Sequence, residues 1–308
     1  MSGLLVACTL FEKSYHHGLR GLLNSLFNAG YTGVFYAGYL GLLPDWITND
    51  ANFNAEHKEL LVGNKILVRF ICMGEAGHLS YSKPDFMLQV MSYEKAPVAY
   101  FDPDIVVKCE WSYLERCSGY GVSLIEDIQS YLPRSHPKRH MWRSYASSKR
   151  LEVVRDIDRY FNSGFVSVGI EEKEFLQLWK TTIEWVSAFN EGAQGLKYGD
   201  PLDIFYHCDQ DAMNLALMLS QCRICAQEPQ AMDFLGYGYV LSHAIGRPKP
   251  WESGFLKKAL QGYPVSAAIK NYYKFGNGPL SSMSAPLVKL KKMEISLASL
   301  ISRVWRRS

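Results

Sequence analysis

Several familiar sequence features are missing here, and each absence removes a class of function. There is no run of about 18 apolar residues, so no membrane-spanning helix is expected. No charged segment precedes the apolar stretch at the start, so Leu4–Leu10 is expected to be a first strand and not a signal peptide. With 33 basic and 30 acidic side chains the formal charge is only +3, and nucleic acid is not an expected partner. The seven cysteines are odd in number and irregularly spaced, which points to a reducing compartment and a cytoplasmic location. Cys222-x-x-Cys225 has no second pair at zinc-binding spacing and lies in a helix-like run, so it reads as buried thiols. Internal repeats and low-complexity segments are absent. The stretch from Thr9 to Tyr15 is not the glycine-rich basic loop a nucleotidyltransferase would carry, and no side chain declares itself as a nucleophile.

What is present is organised around Pro97–Val107, an apolar, β-rich run interrupted by Asp102-Pro103-Asp104. Two carboxylates one residue apart at a strand end are costly to bury without a compensating cation. Hard oxygen ligands suit Mg²⁺ or Mn²⁺, and the i, i+2 spacing puts both side chains on one side of an extended backbone. The alternative is a strand ending in a solvated turn, with Pro103 as its punctuation.

The opening reads β-α-β: the first strand, a helix from Leu19 to Phe27 ended by Gly30, and strands at Gly33–Tyr39 and Lys65–Cys72. This pattern predicts an α/β fold with mostly parallel strands and helices on both faces, its ligands held beyond the carboxyl ends of the strands. Lys83-Pro84-Asp85 opens a helix to Ser92, and a further helix is predicted at Trp111–Ser118. Gly121–Ile128 reads as a strand or buried turn. The basic, histidine-rich stretch 133–143 reads as a loop, either an exposed flexible segment or a lid or acceptor-binding loop. Tyr160–Val168 reads as a strand interrupted by a small polar triplet, Asn162-Ser163-Gly164. A strong amphipathic helix follows at Glu172–Asn190. Asp209-Gln210-Asp211 precedes a helix placed at Leu215–Cys222 and offers more polar capacity than capping needs. His243, Gly246 and Lys249 make a compact loop able to offer a metal ligand, open backbone and a cation to one polyanion.

Four blocks in order carry a resemblance: Tyr15-x-x-Gly18 with Ser25-Leu26; Phe101-Asp102-Pro103-Asp104; Phe161-Asn162-Ser163-Gly164 with Asp209-Gln210-Asp211-x-x-Asn214; and His243-x-x-Gly246-x-x-Lys249-Pro250-Trp251. Together they span about residues 4 to 251, and the last is the most specific. The chain resembles the GT-A glycosyltransferases of the group containing glycogenin and the bacterial lipopolysaccharide galactosyltransferases, glycosyltransferase family eight. It departs from them at Ala244, where the family has an aromatic, and at Leu10–Ser14, which lacks the usual polar base-reading set.

The resemblance implies a GT-A, Rossmann-like mixed sheet and a metal-dependent transferase that retains anomeric configuration. It implies Asp102, Asp104 and His243 as ligands of one Mn²⁺ or Mg²⁺. Gly246 and Lys249 would meet the diphosphate of a nucleotide sugar, a UDP-sugar in this family. Thr9 and Tyr15 would hold base and ribose, and Lys83 would supply the cation found ahead of the central strand. Asn162, Asp209 and Gln210 would bind the transferred sugar, with Asp209 and Gln210 in the catalytic roles, and Asp211 would be among the donor-binding residues. The acceptor would be a glycan or a lipid-linked saccharide.

The catalytic domain is expected over 1–285, followed by a tail at 286–308. There Lys289, Lys291, Lys292, Arg303, Arg306 and Arg307 oppose only Glu294, and apolar residues recur at helical spacing. This reads as a basic amphipathic helix lying peripherally on an anionic membrane surface, or as one packed on its own domain or on a partner subunit.

Overall fold

The computed structural model describes residues 5–74, 78–128, 132–190, 192, 195–236 and 238–304. Its centre is β1 (Val6–Glu12), whose side chains alternate between two interiors. Val6, Cys8 and Leu10 join one core, and Ala7 and Phe11 another. A strand buried on both faces shows no polar alternation, hence the near-continuous apolar run.

After β1 come α1 (His16–Asn28), β2 (Gly33–Leu40), the short α2 (Asp45–Thr48), the hairpin β3 (Phe53–Asn54) and β4 (Glu59–Val62), and β5 (Ile66–Cys72). α3 (Lys83–Glu94) leads into β6 (Val98–Phe101). Then follow β7 (Ile105–Val107), α4 (Trp111–Gly119), β8 (Val122–Glu126), α5 (Pro137–Ser148), β9 (Phe161–Val168), α6 (Lys173–Phe189) and α7 (Cys208–Leu219). β10 (Ile224–Gln227), β11 (Leu241–His243), α8 (Phe255–Leu260), α9 (Ala267–Phe275) and α10 (Ala285–Val304) complete the chain.

The large sheet has the order β10-β8-β9-β6-β1-β2-β5-β4-β3. Only β9 and β4 run against the other strands, so the sheet is mixed and mostly parallel. α3, α6 and α7 cover one face, and α1 and α4 the other. The run 97–107 is not one strand. At Asp102-Pro103-Asp104 the chain leaves the sheet, and β7 instead pairs antiparallel with β11, His243 opposite Ile105. The pairing of β9 with β8 skips three residues: Leu124 pairs with Val166, but Ile125 pairs with Asn162. The skipped residues are Ser163, Gly164 and Phe165, so the bulge takes in two of the polar triplet and follows directly on Asn162.

Three readings are corrected. Residues 137–148 are helical, with Pro137 in the first turn and the His136 ring accepting from the Lys138 amide. Lys138 and Arg139 are buried, not solvated: Lys138 pairs with Asp211, and Arg139 lies over the Trp142 ring at 4.9 Å. The helix placed at Leu215–Cys222 begins at Cys208, and every residue of α7 is buried, so no helical stripe was there to be read. Cys225 belongs to β10 and not to a helix; both cysteines of the pair are free thiols.

The tail is helical from Ala285 to Val304, while Trp305, Arg306 and Arg307 lie outside the described residues. Ile295 and Ala298 pack into a third core with Phe255 of α8 and Tyr272 of α9. Leu290, Met293, Leu297, Leu300 and Val304 remain exposed on α10.

Candidate metal and donor site

A cavity of about 300 Å³ opens at the carboxyl ends of β1 and β6, where the topology directs a ligand. Tyr15, Lys83, Asp102, Asp104, Asn162, Asp209, Gln210, His243, Gly246 and Lys249 all line it.

Asp102 and Asp104 stand on the turn between β6 and β7, and β11 brings His243 across from Ile105. His243 Nε2 is 3.2 Å from Asp104 Oδ1 and 3.7 Å from Asp102 Oδ2. The other oxygen of each carboxylate is already engaged. Asp102 Oδ1 accepts from Tyr100 at 3.0 Å and faces Lys83 Nζ at 3.1 Å. Asp104 Oδ2 faces Lys249 Nζ at 2.5 Å. One oxygen per aspartate and one imidazole nitrogen therefore converge, all within 4.8 Å of one another. Ligands around a cation at about 2.1 Å stand about 3 Å apart, so this donor set fits Mg²⁺ or Mn²⁺ after a small contraction. Among the described residues this is the one such cluster of histidine, cysteine and carboxylate groups.

Two glycines make the convergence sterically possible. A Cβ on Gly164 would lie 2.5 Å from His243 Cε1 and 2.9 Å from Nδ1, so only glycine lets the bulged strand pass beneath the ring. A Cβ on Gly18 would lie 2.4 Å from the Pro103 carbonyl oxygen, which allows the first turn of α1 to seat the turn bearing both aspartates.

The charges are mutually compensated. Burial alone would raise the Asp104 carboxyl, but Lys249 and His243 outweigh it and hold the group well below the usual carboxylate range. Burial would likewise lower the Lys83 ammonium, and Asp102 and Asp209 together raise it above its ordinary value. Lys249 follows the same pattern, with Asp104 overriding burial. Tyr15 packs edge-on to Trp251 at 5.5 Å, beneath Lys249.

The opposite wall of the cavity is built from α7 and the β9 bulge. Asp209 Oδ2 accepts from Ser163 Oγ at 2.8 Å and pairs with Lys83 at 3.0 Å. Gln210 Oε1 accepts from Asn162 Nδ2 at 3.1 Å and from the Ser163 amide at 3.2 Å. Asn162 Nδ2 also donates to Asp127 at 2.7 Å.

Two expected site residues lie elsewhere. Thr9 is fully buried behind the cavity, its hydroxyl spent on the Phe101 carbonyl at 2.7 Å. Asp211 is fully buried on the far side of α7, where it accepts from Tyr160 at 2.6 Å and pairs with Lys138 at 3.2 Å. On a helix, neighbours 100° apart face different ways, so Asp209, Gln210 and Asp211 cannot all reach one ligand. Asn214 is likewise structural, clasping the Phe161 amide and carbonyl. The sequence reading missed Tyr100 and Asp127. Tyr100 lies on β6 two residues before Asp102, and Asp127 follows β8 at the sheet's carboxyl edge.

No family model matches the sequence, and no curated protein matches it. Solved structures do. The chain aligns with the bifunctional glycosyltransferase WbbM in its apo form over 96% of its own length, at 14% identity and a TM-score of 0.57. It spans about half of WbbM, 52% of that chain. The galactosyltransferase LgtC, in complex with donor and acceptor sugar analogs, aligns over 93% of this chain and 100% of its own, at 16% identity and a TM-score of 0.55. An active-site variant of LgtC aligns over 92% of this chain and 98% of its own, at 15% identity and 0.54. At such identities the likeness is one of fold: this is the GT-A glycosyltransferase fold, resembling LgtC over nearly the whole chain.

Proposed function

We propose that this protein is a metal-dependent glycosyltransferase that moves a sugar from a nucleotide diphosphate donor, a UDP-sugar, to a glycan or lipid-linked saccharide. The observation that carries the proposal is the meeting of Asp102, Asp104 and His243 in a cavity that also holds Lys249, Asp209 and Gln210. The fold supports it, since WbbM and LgtC are named as glycosyltransferases.

Transfer of a glycosyl group makes the anomeric carbon cation-like while the departing diphosphate gains negative charge. A divalent cation held by the two aspartates and the histidine would supply Lewis-acid stabilisation of that leaving group. Lys249, already seated against Asp104, adds a fixed positive charge from a low-dielectric wall. Gly246 leaves room for phosphate oxygens beside the backbone. Tyr15 offers a ring to the base and ribose. Asn162, Asp209 and Gln210 orient sugar hydroxyls, and Asp209 faces the developing positive charge. Retention is proposed on the resemblance, by attack on the face the diphosphate leaves.

The test is donor turnover with and without Mn²⁺, with the product anomer read by NMR. Metal-dependent transfer with an α-product from an α-donor is expected; a β-product removes retention. Donor binding with no turnover or hydrolysis would instead leave a nucleotide-sugar-binding scaffold.

We further propose that α10 holds the enzyme peripherally on an anionic membrane. Its exposed leucines lie beside Lys289, Lys292 and Arg303, a pairing that suits a headgroup boundary.

A further inference from the structure

Behind β11 lies a buried polar centre that touches no part of the cavity. The Asp233 carboxylate is wholly screened from solvent, and Lys108 opposite it is nearly so. Asp233 Oδ1 accepts from Lys108 Nζ at 2.6 Å and from the Gly238 amide at 2.7 Å. Its Oδ2 accepts from Ser242 Oγ at 2.5 Å and from Asn271 Nδ2 at 2.7 Å. One carboxylate thus takes four donors from the end of β7, the loop before β11, β11 itself and α9. Burying a charge is costly, and a site that does so with every acceptor position filled is rigid.

The neighbours of these donors make that rigidity relevant. Ser242 precedes His243, and on a strand the two side chains point to opposite faces. Lys108 directly follows β7, the strand that starts one residue after Asp104. The β7–β11 ladder has three paired positions, prolonged at its ends by the Ala244 amide on the Asp104 carbonyl at 3.1 Å and the Lys108 amide on the Val240 carbonyl at 2.9 Å. So short a ribbon does not hold its own register firmly. We infer that Asp233 is a positioning residue for the metal site: through Ser242 it pins β11, and through Lys108 it pins β7, which fixes His243 against Asp102 and Asp104. The inference rests on the metal-dependent reading given above, and the role belongs to a residue that touches neither metal nor donor.

The experiment separates positioning from general stability. Asp233→Asn strands the Lys108 charge and risks unfolding, so two milder variants carry the test. Ser242→Ala cuts the link to β11 while Asp233 keeps its other donors. Asn271→Ala cuts the link to α9, with its longer 3.4 Å contact to Ser242 Oγ, and leaves the 2.5 Å bond between Ser242 and Asp233 that ties β11. Mn²⁺ alone is titrated into each full-length protein, with uptake read from loss of the free-ion EPR signal and thermal midpoints measured alongside. The expected result is a 5- to 10-fold weaker Mn²⁺ affinity for Ser242→Ala, with Asn271→Ala within twofold of wild type although its midpoint also falls. Equal weakening in both variants, or wild-type affinity in Ser242→Ala, overturns the assignment. A wild-type protein that takes up no Mn²⁺ overturns the metal reading itself, a result distinguishable from the other two.

Discussion

Lys83 and Asp209 stand 3.0 Å apart, and the same ammonium lies 3.1 Å from Asp102. One buried cation therefore joins Asp102, beside His243, to Asp209 at the start of α7. Removing one partner of a buried ion cluster leaves uncompensated charge and costs about 3–5 kcal/mol. Lys83→Met is expected to lose stability of that order in a urea titration, and Lys83→Arg to keep most of it.

Gly164→Ala tests the metal site without removing a ligand. The added methyl would lie 2.5 Å from the His243 ring, which must turn away from the aspartates. Loss of about 10- to 100-fold in Mn²⁺ affinity is expected, as for other disturbances of a ligand's support. Isothermal titration would read it, and unchanged affinity would contradict the placement of the ring.

Asp211→Asn separates anchoring from chemistry. Asp211 ties α7 to Lys138 of α5 and Tyr160 ahead of β9. The variant is expected to lose about 3 kcal/mol or more, because Lys138 keeps a buried charge without its partner. At low temperature, where the variant remains folded, donor affinity is expected to stay within a fewfold of wild type.

The pH dependence of stability has an identifiable contributor. His17 is held from its ordinary 6.5 down to about 4, by burial first and then by His16 and Arg20; burial lowers His16 as well. Below about pH 6.5 the unfolded chain takes up protons that the folded chain refuses. The stability contributed by neutral histidine is therefore full above that value and declines as the pH falls towards 4. Urea midpoints at pH 7 and pH 5 should differ, and His17→Gln should narrow the gap.

The membrane proposal calls for surface variants and not a truncation, because Ile295 and Ala298 of α10 belong to a core. Leu290→Ser with Leu297→Ser is expected to reduce sedimentation with anionic liposomes several-fold while leaving the thermal midpoint nearly unchanged. Added salt should weaken the wild-type interaction further. Sedimentation unaffected by either change would remove the membrane role.

How legible the molecule was in its sequence depended on which physical signal each part carries. β1 and β6 were legible because strands covered on both sides are apolar throughout. The convergence of Asp102, Asp104 and His243 was legible because a costly pair of acids needs a compensating cation and His243 stands in a specific spacing. α5 was not, since Lys138 and Arg139 look like solvent-facing residues until Asp211 and Trp142 are seen beside them. α7 was not, because a helix buried all round has no stripe. Thr9 and Asp211 were misplaced for a related reason: a motif names residue types, while a backbone period decides which of them face the ligand.

The departure of β7 from the large sheet has a consequence for the order in which the molecule is completed. Every strand of the nine-stranded sheet lies before residue 228, whereas β7 finds its partner only at Leu241–His243. A growing chain can therefore complete every strand of the large sheet before His243, the third side chain of the Asp102-Asp104 cluster, has been made. On the metal-dependent reading proposed above, competence to grip a cation would arrive only with the last part of the chain to be made.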